Sequence, residues 1–116
     1  MKKLGLVSNL ACAMSMAAVA TAAPASASTA ERDNCVRERL VCVWGKTGYS
    51  GSSWEVGSAW NGSCNTSPVA GRSVAQGRGG VIRFYGRADC SGAYFDIRAN
   101  DYSSNTSFVV LSFRRL

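Results

Sequence analysis

From Leu40 to Leu116 the hydrophobic residues come in short runs separated by glycine and serine, with no apolar stripe of helical period. Leu40 to Trp44 predicts a strand, and Lys46 to Gly51 a glycine-bearing turn. Ser53 to Val56 then alternates, with Trp54 and Val56 turned inward and Glu55 outward. Gly57 to Gly71, rich in Gly, Ser and Asn, reads as one long loop. Arg72 to Gln76 predicts a brief strand, and Gly77 to Gly80 a flexible connector. Asn100 to Thr106 reads as a shorter loop and Ser107 to Phe113 as the best single strand, with Arg114 and Arg115 capping an edge with charge. Ahead of these elements, Ser28 to Asn34 is polar and reads as a frayed tail. The pattern predicts an all-β fold, two four-stranded antiparallel units packed as a small sandwich.

The pattern also repeats at an offset of 41 residues, where Val41 to Val56 lies on Ile82 to Ile97 without a gap. Gly45/Gly86, Ser50/Ser91 and Gly51/Gly92 are identical. Trp44/Tyr85, Lys46/Arg87, Trp54/Phe95 and Glu55/Asp96 keep aromatic character or charge. Two copies are too few for a solenoid, so they should pack on each other. Gly51 and Gly92 fall at equivalent places in a sharp hairpin, where a residue without Cβ takes positive φ.

The first residues change the charge and cysteine bookkeeping. Lys2 and Lys3 precede a largely apolar stretch, Leu4 to Ala20, and Ala25-Ser26-Ala27 fits a small-residue cleavage site. Residues 1–27 therefore read as a signal peptide, 28–39 as an N-terminal segment and 40–116 as one domain, secreted and extracellular. A cut after Ala22 would alter only the tail. Ser8, Asn9 and Ser15 interrupt the apolar run and make it short for a membrane span.

Cys12 leaves with that segment, and Cys35, Cys42, Cys64 and Cys90 remain, enough for two disulfides in an exported domain. Three pairings are open. Proximity at the start of the domain favours Cys35 with Cys42, leaving Cys64 with Cys90. On loop entropy these stabilise by about 2.5 and about 3.5 kcal/mol. Of 13 basic and 7 acidic residues, Lys2 and Lys3 are lost, leaving a charge of +4 in which ten of the basic groups are arginine. Arginine forks suit carboxylates and phosphates, but no dense basic block occurs, and the spread charge reads as solubility.

Trp44, Tyr49 and Gly51, with Ser73 further on, resemble the aromatic-glycine-serine signature of the βγ-crystallin Greek key. Tyr85, Cys90 and Gly92, with Ser107 further on, form the second copy, its second aromatic replaced by cysteine. The resemblance implies a βγ-crystallin-like sandwich of two Greek keys, at about 40–76 and 81–116. Cys35 to Cys42 running into Val43-Trp44, then Tyr49-Ser50-Gly51, is similar to small secreted bacterial proteins of the microbial metalloproteinase-inhibitor type. That similarity implies a peptidase inhibitor whose partner is an extracellular peptidase; a monomer is expected, though the sequence itself leaves the oligomeric state open.

Chemistry is narrowed mainly by what is missing. The chain has no histidine and no Gly-x-Ser-x-Gly elbow, which removes serine-histidine and cysteine-histidine catalysis and the usual zinc ligands. Glu55, Asp89, Asp96 and Asp101 remain as carboxylates, with Glu55 and Asp96 read as solvent-facing partners of Trp54 and Phe95. The expectation is no enzyme, no cofactor, no nucleic-acid partner and no membrane contact in the mature form.

The candidate inhibitory loop is Trp60, Cys64, Asn65, Thr66, Ser67, Pro68 and Val69, an extended segment that Cys64 would anchor. Its plain alternative is a surface loop with Trp60 packed over one end of the core, where Trp44, Trp54, Tyr85 and Phe95 are also expected.

A calcium loop of the βγ type needs two Asn or Asp, two spacers, then Ser/Thr and Ser. Asn100, Asp101, Thr106 and Ser107 make a weak, shifted match, and before Ser73 the pattern meets Pro68, Val69 and Arg72. A different class of function is glycan or cell-wall binding through Trp60, tyrosines and arginines. Gly77-Arg78-Gly79-Gly80 reads as a linker, and the Asn61, Asn65 and Asn105 sequons as chance matches beside a bacterial-looking signal.

Overall fold

The computed structural model describes residues 28–116, so the expected signal peptide, residues 1–27 with Cys12, lies outside the described residues. Eight strands follow one helical segment, α1, over residues 28–37. They are β1 (Val41–Lys46), β2 (Ser50–Val56), β3 (Asn65–Gly71), β4 (Ser73–Gln76), β5 (Val81–Tyr85), β6 (Tyr94–Arg98), β7 (Asp101–Ser103) and β8 (Val110–Arg115). They form two four-stranded antiparallel sheets, ordered β2-β1-β4-β7 and β3-β8-β5-β6.

The sheets are not the two sequence copies. Each copy lends its third strand to the other sheet, so β3 of the first copy joins β8, and β7 of the second joins β4. Those two strands lie inside the segments Gly57 to Gly71 and Asn100 to Thr106 that were expected to be loops. Both are edge strands, β7 is only three residues long, and β3 contains Pro68, which a strand tolerates only at an edge or bulge. Their pairing comes from the partner copy, which local pattern does not report.

The last strand also differs from expectation, since it begins at Val110 and runs through Arg115. It lies between β3 and β5, so Arg114 and Arg115 do not cap an edge.

Val41, Val43, Val74, Ile82, Phe84, Ile97, Val110 and Phe113 pack together as the core between the sheets. Phe84 and Phe113 are fully buried with ring centroids 5.5 Å apart, and each contributes about 2–3 kcal/mol by leaving water. Trp54 and Phe95 are half-buried at the margin of this core. Trp44 and Tyr85 are buried but face away from it, on the outer surfaces of the two sheets.

The hairpins repeat closely. Gly51 and Gly92 take φ of 80° and 83°, and a Cβ there would lie 3.0 Å from the side chains of Lys46 and Arg87. Tyr49 and Cys90 take φ of 61° and 58° without being glycine, a conformation that costs about 1–2 kcal/mol each. A serine offsets that cost in each copy. Tyr49 N donates to Ser73 Oγ at 2.9 Å, and Ser73 Oγ donates to Lys46 O at 2.7 Å. Cys90 N donates likewise to Ser112 Oγ at 2.9 Å, whose hydroxyl donates to Arg87 O. The second serine is therefore Ser112, not Ser107, because the second copy is two residues shorter between its glycine and its serine.

The expected frayed tail is helical. The Cys35–Cys42 disulfide fixes α1 on the outer face of the first sheet, over a second buried cluster of Cys35, Cys42, Trp44, Tyr49 and Ala75. Trp44 Nε1 donates to Glu31 Oε1 at 3.1 Å, and the Arg32 guanidinium sits 4.2 Å from the Tyr102 ring centroid. Contact is close enough to require Gly77, where a Cβ would fall 2.1 Å from Val36 O. Sequence pattern missed the helix because the sheet supplies its apolar partners and the helix itself carries few.

Candidate recognition surface

The segment from Gly57 to Gly71 is a loop to Cys64 and strand β3 thereafter. The loop folds on itself. Trp60 N donates to Gly57 O at 3.1 Å, Trp60 Nε1 to Ser63 O at 2.9 Å, and Ser63 N to Asn61 Oδ1 at 3.0 Å. The Trp60 ring meets Phe113 edge-on at 5.3 Å and carries the Arg78 guanidinium 5.2 Å from its centroid. Trp60 thus closes one end of the core, as its plain reading expected.

Beyond Trp60 the chain is tied down at each step. Cys64 is bonded to Cys90, with Cα atoms 6.0 Å apart. Asn65 is half-buried and its Oδ1 accepts from Trp54 Nε1 at 3.2 Å. Thr66 is exposed and its hydroxyl donates to Ala88 O at 2.6 Å. Ser67 is buried, donating to Val69 O at 2.7 Å and accepting from Val69 N at 3.2 Å. These bonds bulge the edge strand, whose register shifts between Thr66 and Gly71. Pro68 is left exposed and Val69 half-exposed beside a shallow groove floored by Gly45, Lys46 and Ser52.

The disulfide and the Thr66 bond join this segment to the 87–90 turn, where Ala88 and Asp89 are exposed. The product is a ridge of two cross-linked surface segments with no deep cleft between them. Cysteine at position 90, the departure from an aromatic corner, is what makes the link. Tyr49, at the equivalent place, instead packs edge-on against Trp44 at 5.3 Å and Tyr102 at 6.0 Å. Burial pushes the Tyr49 phenol above its ordinary pKa, against the opposing pull of Arg32.

The remaining candidates stand apart from the ridge. Asp101 Oδ1 accepts from Tyr102 N, and buried Thr106 spends its hydroxyl on Phe108 O at 2.7 Å. Asn100 has φ of 62° and donates its backbone N–H to Gln76 O, while Ser107 is exposed. Among the described residues, no three His, Cys, Asp or Glu side chains cluster as metal ligands. No described helix is long and apolar enough to cross a membrane.

Asp96 faces outward as expected but is not unpaired. Arg83 donates to its two oxygens at 2.8 and 3.0 Å and holds the carboxyl below the usual carboxylate range. Sequence reasoning passed over Arg83 and Tyr94 and read Arg114 as an edge cap, yet all three share that outer face. The repeat alignment held the signal, since Arg83 stands where the first copy has Cys42.

Solved structures of other proteins resemble this one. A βγ-crystallin from an archaeon superposes with a TM-score of 0.50 at 22% identity, covering 67% of this chain and 98% of its own. The fold is βγ-crystallin-like. The IPSE/alpha-1 protein from Schistosoma mansoni eggs matches with a TM-score of 0.50 at 15% identity, over 67% of this chain and 84% of that one. No protein-family model and no curated protein sequence matches the chain.

With Ser73 and Ser112 as the paired serines, the βγ-crystallin calcium pattern falls on Pro68, Val69 and Arg72 in one copy. In the other it falls on Ser107, Phe108 and Leu111. Of these six side chains only Ser107 offers a suitable oxygen.

Proposed function

We propose that the chain is a secreted inhibitor of an extracellular peptidase, acting by binding without catalysis, with the Cys64–Cys90 ridge as its contact surface. The observation that carries this reading is the double restraint on the segment Cys64 to Val69. One covalent and one hydrogen-bonded tie hold it against residues 88–90 while Thr66 and Pro68 remain exposed. A segment ordered before binding loses little conformational entropy on docking and resists cleavage when docked. The two disulfides and the absence of histidine support export and a non-catalytic role.

The test is residual activity of a panel of metallo-, serine and cysteine peptidases, titrated with oxidised protein spanning residues 28–116. Stoichiometric inhibition of one class is expected. It should weaken at least about tenfold in a variant carrying Thr66→Ala and Pro68→Gly, through lost preorganisation and contact. Inhibition untouched by that variant, or none at micromolar protein, refutes the reading.

A further inference from the structure

The outer faces of the two sheets occupy equivalent positions in the repeat but have opposite chemistry. On the first sheet, Cys42, Trp44 and Ala75 make an apolar bed that α1 covers. On the second, the same places hold Arg83, Tyr85 and Arg114, and no described segment lies over them. The register sets two rows across this sheet. One is Thr66, Ser112, Tyr85 and Tyr94, and the next is Arg114, Arg83 and Asp96, with Arg98 one step beyond.

The groups on this face are held in place. Arg83 lies 3.8 Å from the centroid of the Tyr94 ring while bonded to both Asp96 oxygens, which fixes the ring and guanidinium as one unit. Tyr94 is nonetheless 52% exposed. Arg114 Nε donates to Tyr85 OH at 2.8 Å. The Arg98 guanidinium is exposed and has no hydrogen-bond or ion-pair partner among the described residues. Three arginines against one aspartate leave the face with two excess positive charges. From strand spacing and rise, Arg98 and Arg114 are about 12 Å apart across it.

The geometry points to this face as a binding site for an acidic polysaccharide, a chain of uronic-acid sugars. The first sheet demonstrates what a covering helix needs here, namely an apolar bed, and the second sheet keeps the aromatic place but puts arginines where Cys42 and Ala75 stand. Its occupant must bring oxygens. A uronate chain brings carboxylates for the Arg98 and Arg114 guanidiniums and a flat sugar face for the exposed Tyr94 ring. The site lies beside the Cys64–Cys90 ridge and does not depend on peptidase inhibition.

The experiment is calorimetric titration of oxidised protein, residues 28–116, with polygalacturonate oligosaccharides, using dextran and poly-L-glutamate as comparison ligands. Polygalacturonate is expected to bind more tightly than either, with affinity falling as salt rises. Arg98→Gln and Arg114→Gln should each weaken binding by about two- to fivefold, as exposed charge contacts do. Tyr94→Ala should weaken it further, and Arg37→Gln on α1 should leave it unchanged. An unaltered melting temperature separates these losses from misfolding. Equal binding of poly-L-glutamate overturns the proposal in favour of an acidic peptide. No polygalacturonate binding, or binding indifferent to the Arg98, Arg114 and Tyr94 variants, overturns it outright.

Discussion

Replacing Cys64 and Cys90 together by alanine removes the bond that joins the edge of the second sheet to the 87–90 turn. The pair spans 26 residues, and restoring that loop's freedom to the unfolded chain costs about 3.5 kcal/mol. The Cys35–Cys42 pair spans only 7 residues and is worth about 2.5 kcal/mol on the same basis. Cys64 is exposed, so its truncation opens no cavity and the loop term dominates. The variant should therefore melt about 15–25 °C below the parent, as expected for a domain of this size.

Guanidinium unfolding under oxidising conditions gives the free-energy difference directly, from midpoint and slope. A loss below about 1 kcal/mol would show that the unfolded chain is already constrained near these residues, and would refute the loop-entropy reasoning. The Cys35/Cys42 double alanine variant provides the internal contrast. Its first effect should be release of α1, read as proteolytic nicking between residues 28 and 40 without global unfolding.

Ser73→Ala and Ser112→Ala each leave a backbone N–H and a carbonyl without the hydroxyl that serves both, so each should destabilise by about 1–3 kcal/mol in chemical denaturation. Ser107→Ala, at an exposed position, should stay within about 0.5 kcal/mol of the parent. The Asp96 carboxyl, held low by Arg83, stabilises the fold above the ordinary carboxylate pKa of about 4, and that contribution is lost as pH falls through its lowered folded value. Thermal melts from neutral to acid pH should accordingly show the parent's advantage over Asp96→Asn shrinking towards zero. An advantage independent of pH would mean that the ion pair contributes nothing through its charge.

Much of the fold was legible because hairpin and core obey local rules. Gly51 and Gly92 mark the turns, and the alternation of Trp54 with Glu55 and of Phe95 with Asp96 fixes which face each strand buries. The rest was hidden because it depends on the other copy. The strands β3 and β7 pair only across the repeat boundary, and α1 finds its apolar surface on β1 and β4 rather than along its own length. Ser112 escaped notice for a related reason. A gapless offset aligns the hairpins, but the shorter second copy shifts its serine by two places. At the candidate surface, the cysteine spacing pointed to the Cys64–Cys90 link but not to the second tie from Thr66, because Ala88 contributes a backbone carbonyl.

The two copies share a hairpin, a serine latch and an inward strand face, and they diverge wherever a side chain points outward. Cys42 and Trp44 on the first sheet bind the chain's own α1, whereas Arg83 at the place of Cys42 is half-exposed and holds the ring of exposed Tyr94. Similarly, Tyr49 packs its ring under α1 and Tyr102, while Cys90 surrenders that packing for a bond to Cys64. Both changes act in one direction. They close the first sheet and leave the second open, with a rigid ridge at its margin and a charged face across it. Stability of the inner faces therefore constrains both copies alike, whereas both proposed recognition surfaces lie on the outer side of one sheet. Substitutions on the outer face of the second sheet should accordingly alter binding far more than melting temperature, and those beneath α1 should do the reverse.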